Sequence, residues 1–406
     1  MLTQKRKLKT GMTLWQSFTP HVVTSKKHPA KKFYDVVVIG GGVSGALTCL
    51  TIAERHLSVL LIDRRPPGHG STSASTALIQ WEIDEPLTSL SKKLGPKRAV
   101  ASYIAAASAV RQLSKLISKF EIACDLKLRP TLLLAGTSMG AKELRSEASL
   151  RRRHKLPSRF LSKQELFKKF SFSRAGAVYS TGSLELDPLK LTKGLLQQAQ
   201  AAGVEIVSPV DVTDMSATPS GVFLTLDHRS VIAATKVIVA TGYESLPQIS
   251  SSTHKLNSTW ALATKPLKQE NPWPQNVLVW EASDPYLYFR TTADNRIVVG
   301  GEDEDFQNPK RRDGKIAKKS KVILRKLALI LERQDLEIDF EWAGTFATTP
   351  TGLPVIGEAP GLPNVFTILG AGGNGITFSM IASKLALAWV KGKKHPLAGL
   401  FAPDDG

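Results

Sequence analysis

Near the N-terminal end, two short apolar runs flank an apolar helical pattern, and a glycine cluster precedes the helix. The stretch is FYDVVVIGGGVSGALTCLTIAERHLSVLLIDRR, residues 33–65. Residues 35–39 are rich in Val and Ile without polar alternation, which is typical of a strand buried on both faces of a parallel sheet. The helical pattern continues to about residue 54, and a second buried strand covers 58–62. The pattern predicts a β–α–β unit.

Three glycines in this unit have the spacing GxGxxG. Gly40 permits a tight turn, Gly42 lets the backbone approach a pyrophosphate, and Gly45 lets the helix pack closely on the strand. The helix N-terminus offers free N–H groups and a partial positive charge to phosphates. Asp63 follows the second strand and can accept hydrogen bonds from ribose hydroxyls. Together they predict a dinucleotide site. Neighbouring residues are expected to contact the same ligand: Val43, Ser44 and Arg64.

Later segments complete the expected nucleotide domain. VIAATKVIVATGYES, residues 231–245, predicts a buried strand that closes at Thr241 and Gly242. A helix is expected over 187–202, with Asp at its cap and Pro in its first turn, and a strand pair over 204–215 and 221–227. A nucleotide domain built from separated pieces favours a large FAD-dependent oxidoreductase over a compact NAD domain.

The charge balance allows two interpretations. The chain has 406 residues, enough for two domains, and a formal net charge of +19. Basic runs at 151–155 and 310–326 would suit an acidic partner such as nucleic acid or a membrane surface. The alternative is a solvated basic surface. We favour the alternative because no nucleic-acid module accompanies the runs and no aromatic residues are interleaved with them.

The cysteines and the first residues narrow the class of protein further. Cys49 and Cys124 match no metal spacing and argue against a disulfide scaffold, so we interpret both as buried hydrophobic residues. Residues 1–32 form a basic arm without an acidic residue and without the apolar core of a secretory signal. No run of about 18 apolar residues predicts a membrane span. We expect a cytoplasmic protein without a metal site.

The chain resembles the DAO-type flavoproteins, the superfamily of D-amino-acid oxidase, glycine oxidase and sarcosine oxidase. The resemblance covers about 33–395 and rests on motifs in family order: VVVIGGGVSGAL, GSTSASTALIQWEID, VIVATGY, RIVVGG, WAGTFATTPTGLPVIG and LGAGGNGITFS. It implies FAD as cofactor and an α/β fold, in which a Rossmann-like FAD/NAD(P)-binding domain joins an α+β substrate domain with a mixed β-sheet. The expected domains are FAD-binding 33–80, 180–255 and 345–395, substrate 81–179 and 256–344, and the arm 1–32. We expect the arm to pack on the FAD domain through Leu14, Trp15 and Phe18.

The resemblance also implies which residues hold the flavin. The C-terminal glycine-rich turn passes under the ring in the family, and here it comprises Gly372, Gly373, Asn374, Gly375, Ile376 and Thr377. The segment after the first β–α–β unit supplies small hydroxyl groups for the pyrophosphate and a residue beside the ring: Ser71, Thr72, Ser73, Thr76 and Ala77. Val212 matches the position whose backbone contacts the adenine.

The substrate side departs from the family pattern. Glycine oxidase-like members bind the substrate carboxylate with an arginine where this chain has Phe346, and sarcosine oxidase-like members have an oxygen-activating lysine where it has Val298. Tyr288 matches a residue that lines the active site, and Gln80 lies where the chain enters the substrate chamber. Strand alternation places Arg290 on the face of Tyr288. Our hypothesis is that Arg290 anchors a substrate anion; the alternative is an arginine paired with an acid.

The resemblance implies an FAD-dependent enzyme that oxidises the C–N bond of an amino acid or secondary amine. A hydride would leave a carbon next to a neutral nitrogen for flavin N5, so few side chains are required. We interpret Lys265, Glu302 and Asp303 as structural. The alternative function is a flavoprotein that acts on or docks to nucleic acid such as tRNA, which the net charge of +19 would fit. Flavin binding without catalysis is a third interpretation.

Overall fold

The computed structural model describes residues 2–3, 5–21, 23–53, 57–244, 246, 254–268, 273–369 and 372–403. The strands within these residues are β1 (Lys9–Thr10), β2 (Phe33–Ile39), β3 (Val59–Ile62), β4 (Leu78–Ile79), β5 (Lys127–Leu134), β6 (Ser158–Ser162), β7 (Gly176–Glu185), β8 (Glu205–Val207), β9 (Val212–Thr218), β10 (Gly221–Leu226), β11 (Val231–Gly242), β12 (Lys255–Thr264), β13 (Leu278–Glu281), β14 (Leu287–Thr291), β15 (Ile297–Glu304), β16 (Ile338–Thr348), β17 (Val355–Glu358) and β18 (Val365–Leu369).

The α-helices within the same residues are α1 (Leu14–Phe18), α2 (Val43–Ala53), α3 (Leu87–Leu94), α4 (Pro96–Lys119), α5 (Ala141–Arg153), α6 (Lys163–Phe170), α7 (Pro188–Ala201), α8 (Pro309–Asp313), α9 (Ile316–Leu331), α10 (Gly375–Val390) and α11 (Ala398–Phe401). Short 3-10 turns cover Ser71–Ala74, Pro274–Asn276 and Gly372–Asn374.

The smaller sheet contains the predicted nucleotide unit. Its strands lie in the order β17-β18-β11-β2-β3-β8, and β18, β11, β2, β3 and β8 are parallel. Strands β9 and β10 extend it as an antiparallel meander on β11. The predicted β–α–β unit is confirmed, although the predicted helix end near residue 54 lies outside the described residues. The predicted helix over 187–202 is confirmed as α7, whose N-cap Asp187 accepts N–H bonds from Leu189 and Lys190 at 2.8 and 3.0 Å.

Close packing of α2 on β2 explains why the third position of the GxGxxG motif, Gly45, is a glycine. A Cβ added at Gly45 would lie 1.8 Å from the backbone oxygen of Gly40, so no larger residue fits there. Helices α2, α7 and α10 contribute to one apolar core with β2, and β9 and β10 contribute to a second core with the opposite face. The N-terminal ends of α2 and α10 meet, because the Ser44 and Ser379 hydroxyls share a hydrogen bond of 2.7 Å.

The larger sheet is mixed, as the family resemblance implies. Its order is β1-β16-β12-β15-β14-β13-β5-β7-β4, with β6 on β7. Strands β13 and β5 are parallel, whereas β12, β14, β15 and β16 pair antiparallel. Helix α9 packs on one face of this sheet. Residues 180–185 and 345–348, which we assigned to the FAD-binding domain, lie in strands of this larger sheet.

The N-terminal arm contributes to both sheets, since Lys26 forms a parallel bridge with Val207 of β8 in the smaller one. Strand β1 pairs antiparallel with β16, so the arm adds an edge strand to the larger sheet. Leu14 and Trp15 are buried as predicted. The prediction for Phe18 is wrong, because its side chain is 50% exposed at the end of the short helix α1.

The basic runs are less exposed than their sequence suggests. Arg151 is fully buried and donates from Nε to Glu147 at 2.7 Å, and Arg312 is also buried and bonds the backbone oxygen of Lys7 at 2.9 Å. In the second run, Lys319 pairs with Glu304 at 2.9 Å. The runs therefore supply part of their charge to internal ion pairs.

The structure also shows the environment of the two cysteines. Cys49 and Cys124 are buried free thiols, as predicted, and burial raises the pKa of Cys124 to about 12. In the described part of the chain, no helix is both long and apolar enough to cross a membrane. Among these residues, no group of three or more His, Cys, Asp or Glu side chains could hold a metal ion.

Candidate cofactor and substrate site

One cavity lies between the two sheets and collects most of the predicted site residues. Those that line it are Gly40, Gly42, Val43, Ser44, Asp63, Arg64, Ser71, Thr72, Thr76, Ala77, Gln80, Val212, Thr241, Gly242, Tyr288, Gly372, Gly373, Asn374, Gly375, Ile376 and Thr377. Three predicted residues are not among the lining: Gly45, Ser73 and Arg290. Gly45 packs the helix on the strand, and Ser73 is fully buried and donates to the Gly70 carbonyl at 3.0 Å. Ser73 therefore shapes the loop.

The nucleotide end of the cavity is built around Asp63. Its carboxylate accepts N–H bonds from Gly41 at 2.6 Å and from Arg65 at 2.8 Å, which fixes the turn after β2 and the loop after β3. Burial raises the pKa of Asp63 to about 6, although the two N–H donors oppose the rise. Arg64 lies 3.1 Å from Asp211 and bonds Thr3, so its guanidinium is already paired within the protein.

The C-terminal glycine turn is tied to the segment that follows β4. The Gly373 N–H donates to Oδ2 of Asp84 at 2.8 Å, and the Asp84 N–H donates to Oδ1 of Asn374 at 3.1 Å. Asn374 Nδ2 donates to the Glu82 carbonyl at 2.9 Å, and the Thr377 hydroxyl donates to the Gln80 carbonyl at 2.8 Å. These side chains fix the turn, which leaves the glycine backbone and the start of α10 to face the cavity.

The N-terminal arm borders the same cavity, which the sequence did not indicate. Leu8 lines it, and the Leu8 carbonyl accepts an N–H bond from Thr345 at 2.9 Å. On the nucleotide side, Lys5 pairs with Asp211 at 2.9 Å, and the Arg6 N–H donates to Glu244 at 2.8 Å. The arm residues 5–10 therefore connect the two sheets across the cavity.

Aromatic side chains line the cavity at the larger sheet. Tyr286 and Tyr288 lie with ring centroids 5.5 Å apart, Trp280 pairs with Tyr288 across β13 and β14, and Phe346 lines the cavity from β16. A Cβ added at Gly300 would lie 2.6 Å from the Tyr288 ring, so this glycine makes room for the tyrosine. Burial raises the pKa of both tyrosines, so both hydroxyls stay protonated.

Asp303 lies in this wall of the cavity, although we interpreted it as structural. A bulge between β12 and β15 explains the difference: Ser258 pairs with Glu304 and Trp260 with Gly301, so β15 has one extra residue. Glu302 adopts a left-handed conformation with φ of 58° and pairs with Lys319 and Lys326 on α9. The bulge therefore turns Asp303 towards the cavity. The adjacent glycines in RIVVGG were the available signal for a bulge.

The environment of Asp303 is that of a buried acid. Its pKa is raised to about 6, because burial outweighs the interactions with Thr259 and Tyr286, and the charge of Asp84 adds to the rise. Asp84 is exposed at the cavity, and desolvation raises its pKa too, against the hydrogen bond from the Gly373 N–H. Two carboxylates therefore face one chamber.

The hypothesis that Arg290 anchors a substrate anion is wrong. Its Nε donates to the Thr76 carbonyl at 2.8 Å, Nη2 to Leu186 at 2.7 Å and Nη1 to Thr291 at 3.0 Å, and its guanidinium lies over the Trp15 ring. The side chain is 2% exposed and does not line the cavity. The alternation of side chains along β14 predicted the face on which Arg290 lies. It could not show that the loop containing Thr76 and the arm residue Trp15 cover this side chain.

Besides Nη1 of Arg64 at the nucleotide end, four polar atoms on cavity-lining residues are buried without a hydrogen-bond partner in the described structure. They are Nε2 of Gln80, Oγ1 of Thr259, Nε1 of Trp280 and Oδ1 of Asp303. Buried polar atoms are seldom left unpaired in folded proteins, and a bound ligand is one explanation for such a group. All four lie towards the chamber beyond β4, where the larger sheet forms the wall.

The residues present fit a dinucleotide with a flavin ring. Gly42 and the start of α2 lie near Asp63, as a pyrophosphate and a ribose require, and a Cβ added at Gly42 would approach the Thr72 hydroxyl to 3.0 Å. The glycine turn and α10 border the other part of the cavity, next to the aromatic chamber. The cavity thus has a nucleotide end and a chamber end.

Comparisons with known proteins identify relatives of this chain. The sequence profile of the FAD dependent oxidoreductase (DAO) family matches residues 35–389. The chain is 23% identical to a gamma-glutamylputrescine oxidoreductase of Escherichia coli strain K12, over 88% of this chain and 84% of that protein. It is 24% identical to a glycine oxidase of Geobacillus kaustophilus, over 89% and 94%. A crystal structure of glycine oxidase from Geobacillus kaustophilus has a TM-score of 0.74 with 21% identity, over 93% of this chain and 100% of that chain.

Proposed function

The chain belongs to the DAO family of FAD-dependent oxidoreductases, and we propose that it oxidises the C–N bond of an amine. One observation carries the proposal: the glycine turn 372–375 directly adjoins a chamber walled by Tyr286, Tyr288, Trp280 and a buried carboxylate. Such a chamber can hold a small polar molecule against a flavin. The names of two relatives, gamma-glutamylputrescine oxidoreductase and glycine oxidase, support an amine or amino acid as the substrate class.

When bound, FAD would supply a hydride acceptor, N5, so that an amine whose carbon gives up a hydride would become an iminium ion with C=N in place of C–N. The protein's residues position the substrate for this step. The segment 70–77, the first glycine cluster and the glycine turn would hold the cofactor. Tyr286 and Tyr288 would enclose the substrate opposite this turn, and their protonated hydroxyls can donate hydrogen bonds to it.

The alternative of a nucleic-acid partner has weaker support. Arg151 and Arg312, in the two basic runs, are buried and bonded within the protein. In the described part of the chain, the arginines that line the cavity are Arg64 and Arg65, and both pair with acids of the protein, Asp211 and Glu244. Salt-dependent tRNA binding would restore this alternative.

The test is anaerobic reduction of the bound flavin. The holoprotein is mixed with 1-aminobutane, with alanine and, as a matched control of the same skeleton, with 1-butanol, and the visible absorbance of the oxidised flavin is followed. We expect an amine to bleach the flavin and the alcohol to leave it unchanged. Bleaching by the alcohol alone, or by none of a broad panel of amines and amino acids, would contradict the proposal.

A further inference from the structure

Resting on the proposed function, we propose that the chamber selects a substrate with a second, cationic ammonium group, as in a diamine, and that Asp303 and Asp84 bind this group. The two carboxylates come from opposite walls: Asp303 from the larger sheet after the β15 bulge, and Asp84 from the segment tied to the glycine turn. A cation between them would bridge the wall and the turn.

The charge of the chamber is the first argument. The cationic side chain that acts on the charge of Asp303 is Lys319. It pairs with Glu302 and Glu304 on the other face of the sheet. Among the described residues that line the cavity, Arg64 and Arg65 are the basic ones, and both belong to the nucleotide end. The two acids therefore have no cationic partner among the described chamber residues, and a ligand cation would reduce their mutual repulsion.

The unpaired polar atoms are an independent argument for a ligand. Gln80 and Trp280 are each 8% exposed, line the cavity, and have Nε2 and Nε1, respectively, without a partner in the described structure. An acidic cluster on a protein surface is usually solvated, whereas here two buried donors, Nε2 of Gln80 and Nε1 of Trp280, line the same cavity as the acids.

The aromatic side chains that line the chamber indicate the chemical class of its ligand. The Tyr286 and Tyr288 rings, 5.5 Å apart, and the Trp280 indole present π-faces and edges that suit an ammonium on a short alkyl chain. Phe346 stands where the family resemblance implies an arginine for a carboxylate. With the two acids in place, an α-carboxylate would meet negative charge and no cationic partner among the described chamber residues. The chamber therefore favours a diamine over an amino acid.

The experiment separates binding from turnover. Butyltrimethylammonium, a permanent cation without an N–H, and butanoate, its anionic counterpart, are titrated into the oxidised holoprotein, and the perturbation of the flavin spectrum gives each dissociation constant. The same protein is then reduced anaerobically with 1,4-diaminobutane, 1-aminobutane or 4-aminobutanoate. We expect the cation to bind at least about tenfold more tightly than butanoate, which corresponds to about 1.4 kcal/mol. We also expect 1,4-diaminobutane to reduce the flavin most efficiently.

Variants test the named residues. Asp303→Asn should weaken binding of butyltrimethylammonium about tenfold or more and should remove the preference of the half-reaction for 1,4-diaminobutane over 1-aminobutane. The matched control Asp305→Asn removes an exposed acid paired with Lys255 two residues along and should bind the cation as the wild type does. FAD content and melting temperature show whether each variant is folded.

The outcomes distinguish the two proposals. Equal or tighter binding of butanoate by the wild-type protein, or unchanged cation affinity in a folded Asp303→Asn variant, would overturn the diamine inference. If 1-aminobutane, 4-aminobutanoate or alanine reduces the flavin without any preference for 1,4-diaminobutane, amine or amino-acid oxidation stands and the inference fails. If no amine or amino acid reduces the flavin while the cation binds selectively, the chamber selects cations but the oxidation proposal fails.

Discussion

The backbone N–H of Gly373 donates a 2.8 Å hydrogen bond to the carboxylate of Asp84, which lies 289 positions earlier in the chain. This bond joins the glycine turn that adjoins the flavin region to the segment that enters the substrate chamber. The position is also crowded, since a Cβ added at Gly373 would lie 2.7 Å from Oδ2 and 3.0 Å from Oδ1 of Asp84. The glycine therefore makes room for a carboxylate as well as for a cofactor.

Gly373→Ala should weaken FAD binding about tenfold, because the methyl group displaces Asp84 and shifts the turn, at a cost of about 1.4 kcal/mol. Titration of the apoprotein with FAD, followed by quenching of flavin fluorescence, measures the change. Gly399→Ala is the matched control, since a Cβ there meets no atom within 4 Å. Equal FAD affinity of the two variants would show that the crowding at Gly373 has no consequence.

Arg290→Met should destabilise the protein rather than alter substrate choice. The substitution leaves three backbone carbonyls, those of Thr76, Leu186 and Thr291, without their donor. Unpaired buried groups of this kind cost about 1–3 kcal/mol each, so a total of about 3 kcal/mol is expected. Thermal unfolding of the FAD-saturated variant measures it. Arg325→Met, at an exposed position on α9, is the control.

A variant of Arg290 that melts like the wild type but loses affinity for butanoate would restore the anion-anchor hypothesis. The structure gives a reason to expect the opposite. The three acceptors surround the guanidinium, and Trp15 of the arm covers it at 5.1 Å. A ligand would have to displace the arm to reach it.

The sequence predicted those elements whose signal lies within one continuous stretch of residues. The buried strands β2 and β3, helix α2 and the capped helix α7 follow from apolar runs, glycine spacing and an Asp-Pro start. These signals are local, because each residue's role is set by neighbours within one turn or one strand. The family resemblance then supplied the order of the separated pieces.

The chamber could not be predicted to the same depth. The pairing of β12 with β15 and the left-handed backbone at Glu302 decide that Asp303 faces the cavity, and both depend on strands far apart in sequence. Alternation gave the correct face for Arg290, yet the carbonyl of Leu186, 104 positions away, decides its environment. Long-range partners of this kind leave no periodic signal.

Removal of residues 1–10 should loosen the cofactor. The arm crosses the cavity through Leu8, and its contacts reach Asp211 and Glu244 on one side and Thr345 on the other. Without it the nucleotide end opens to solvent, and we expect FAD to dissociate about tenfold faster. Loss of flavin from the diluted protein, measured by recovery of flavin fluorescence, gives the rate.

A double variant with Lys31→Ala and Lys32→Ala is the control, because it removes charge from exposed positions in the same arm without touching the cavity. Retention of FAD by the truncated protein at the wild-type rate would mean that the arm serves only as an edge strand on β16. Faster release from the control as well would indicate a general effect of the arm's charge.

Binding of the permanent cation should depend on pH through Asp303. The pKa of this carboxyl is raised to about 6, so it is largely protonated below that pH and ionised above it. A cation favours the ionised form and lowers the pKa in the complex, so affinity should rise as the pH increases through about 6 and then level off. Titrations of butyltrimethylammonium between about pH 5 and about pH 8 measure the profile. Asp303→Asn should flatten it, apart from the contribution of Asp84, whose pKa is also raised.

Phe346→Arg combined with Asp303→Asn should reverse the charge preference of the chamber. Phe346 lines the cavity on β16, at the position where the family resemblance implies an arginine for a carboxylate, so a guanidinium there would face the cavity. Removing the charge of Asp303 keeps the new arginine from pairing with it. We expect butanoate to bind about tenfold more tightly and butyltrimethylammonium about tenfold more weakly than in the wild type. Phe223→Arg, on the exposed face of β10, controls for the added charge. If the double variant still prefers the cation, the carboxylates of the chamber do not determine its specificity.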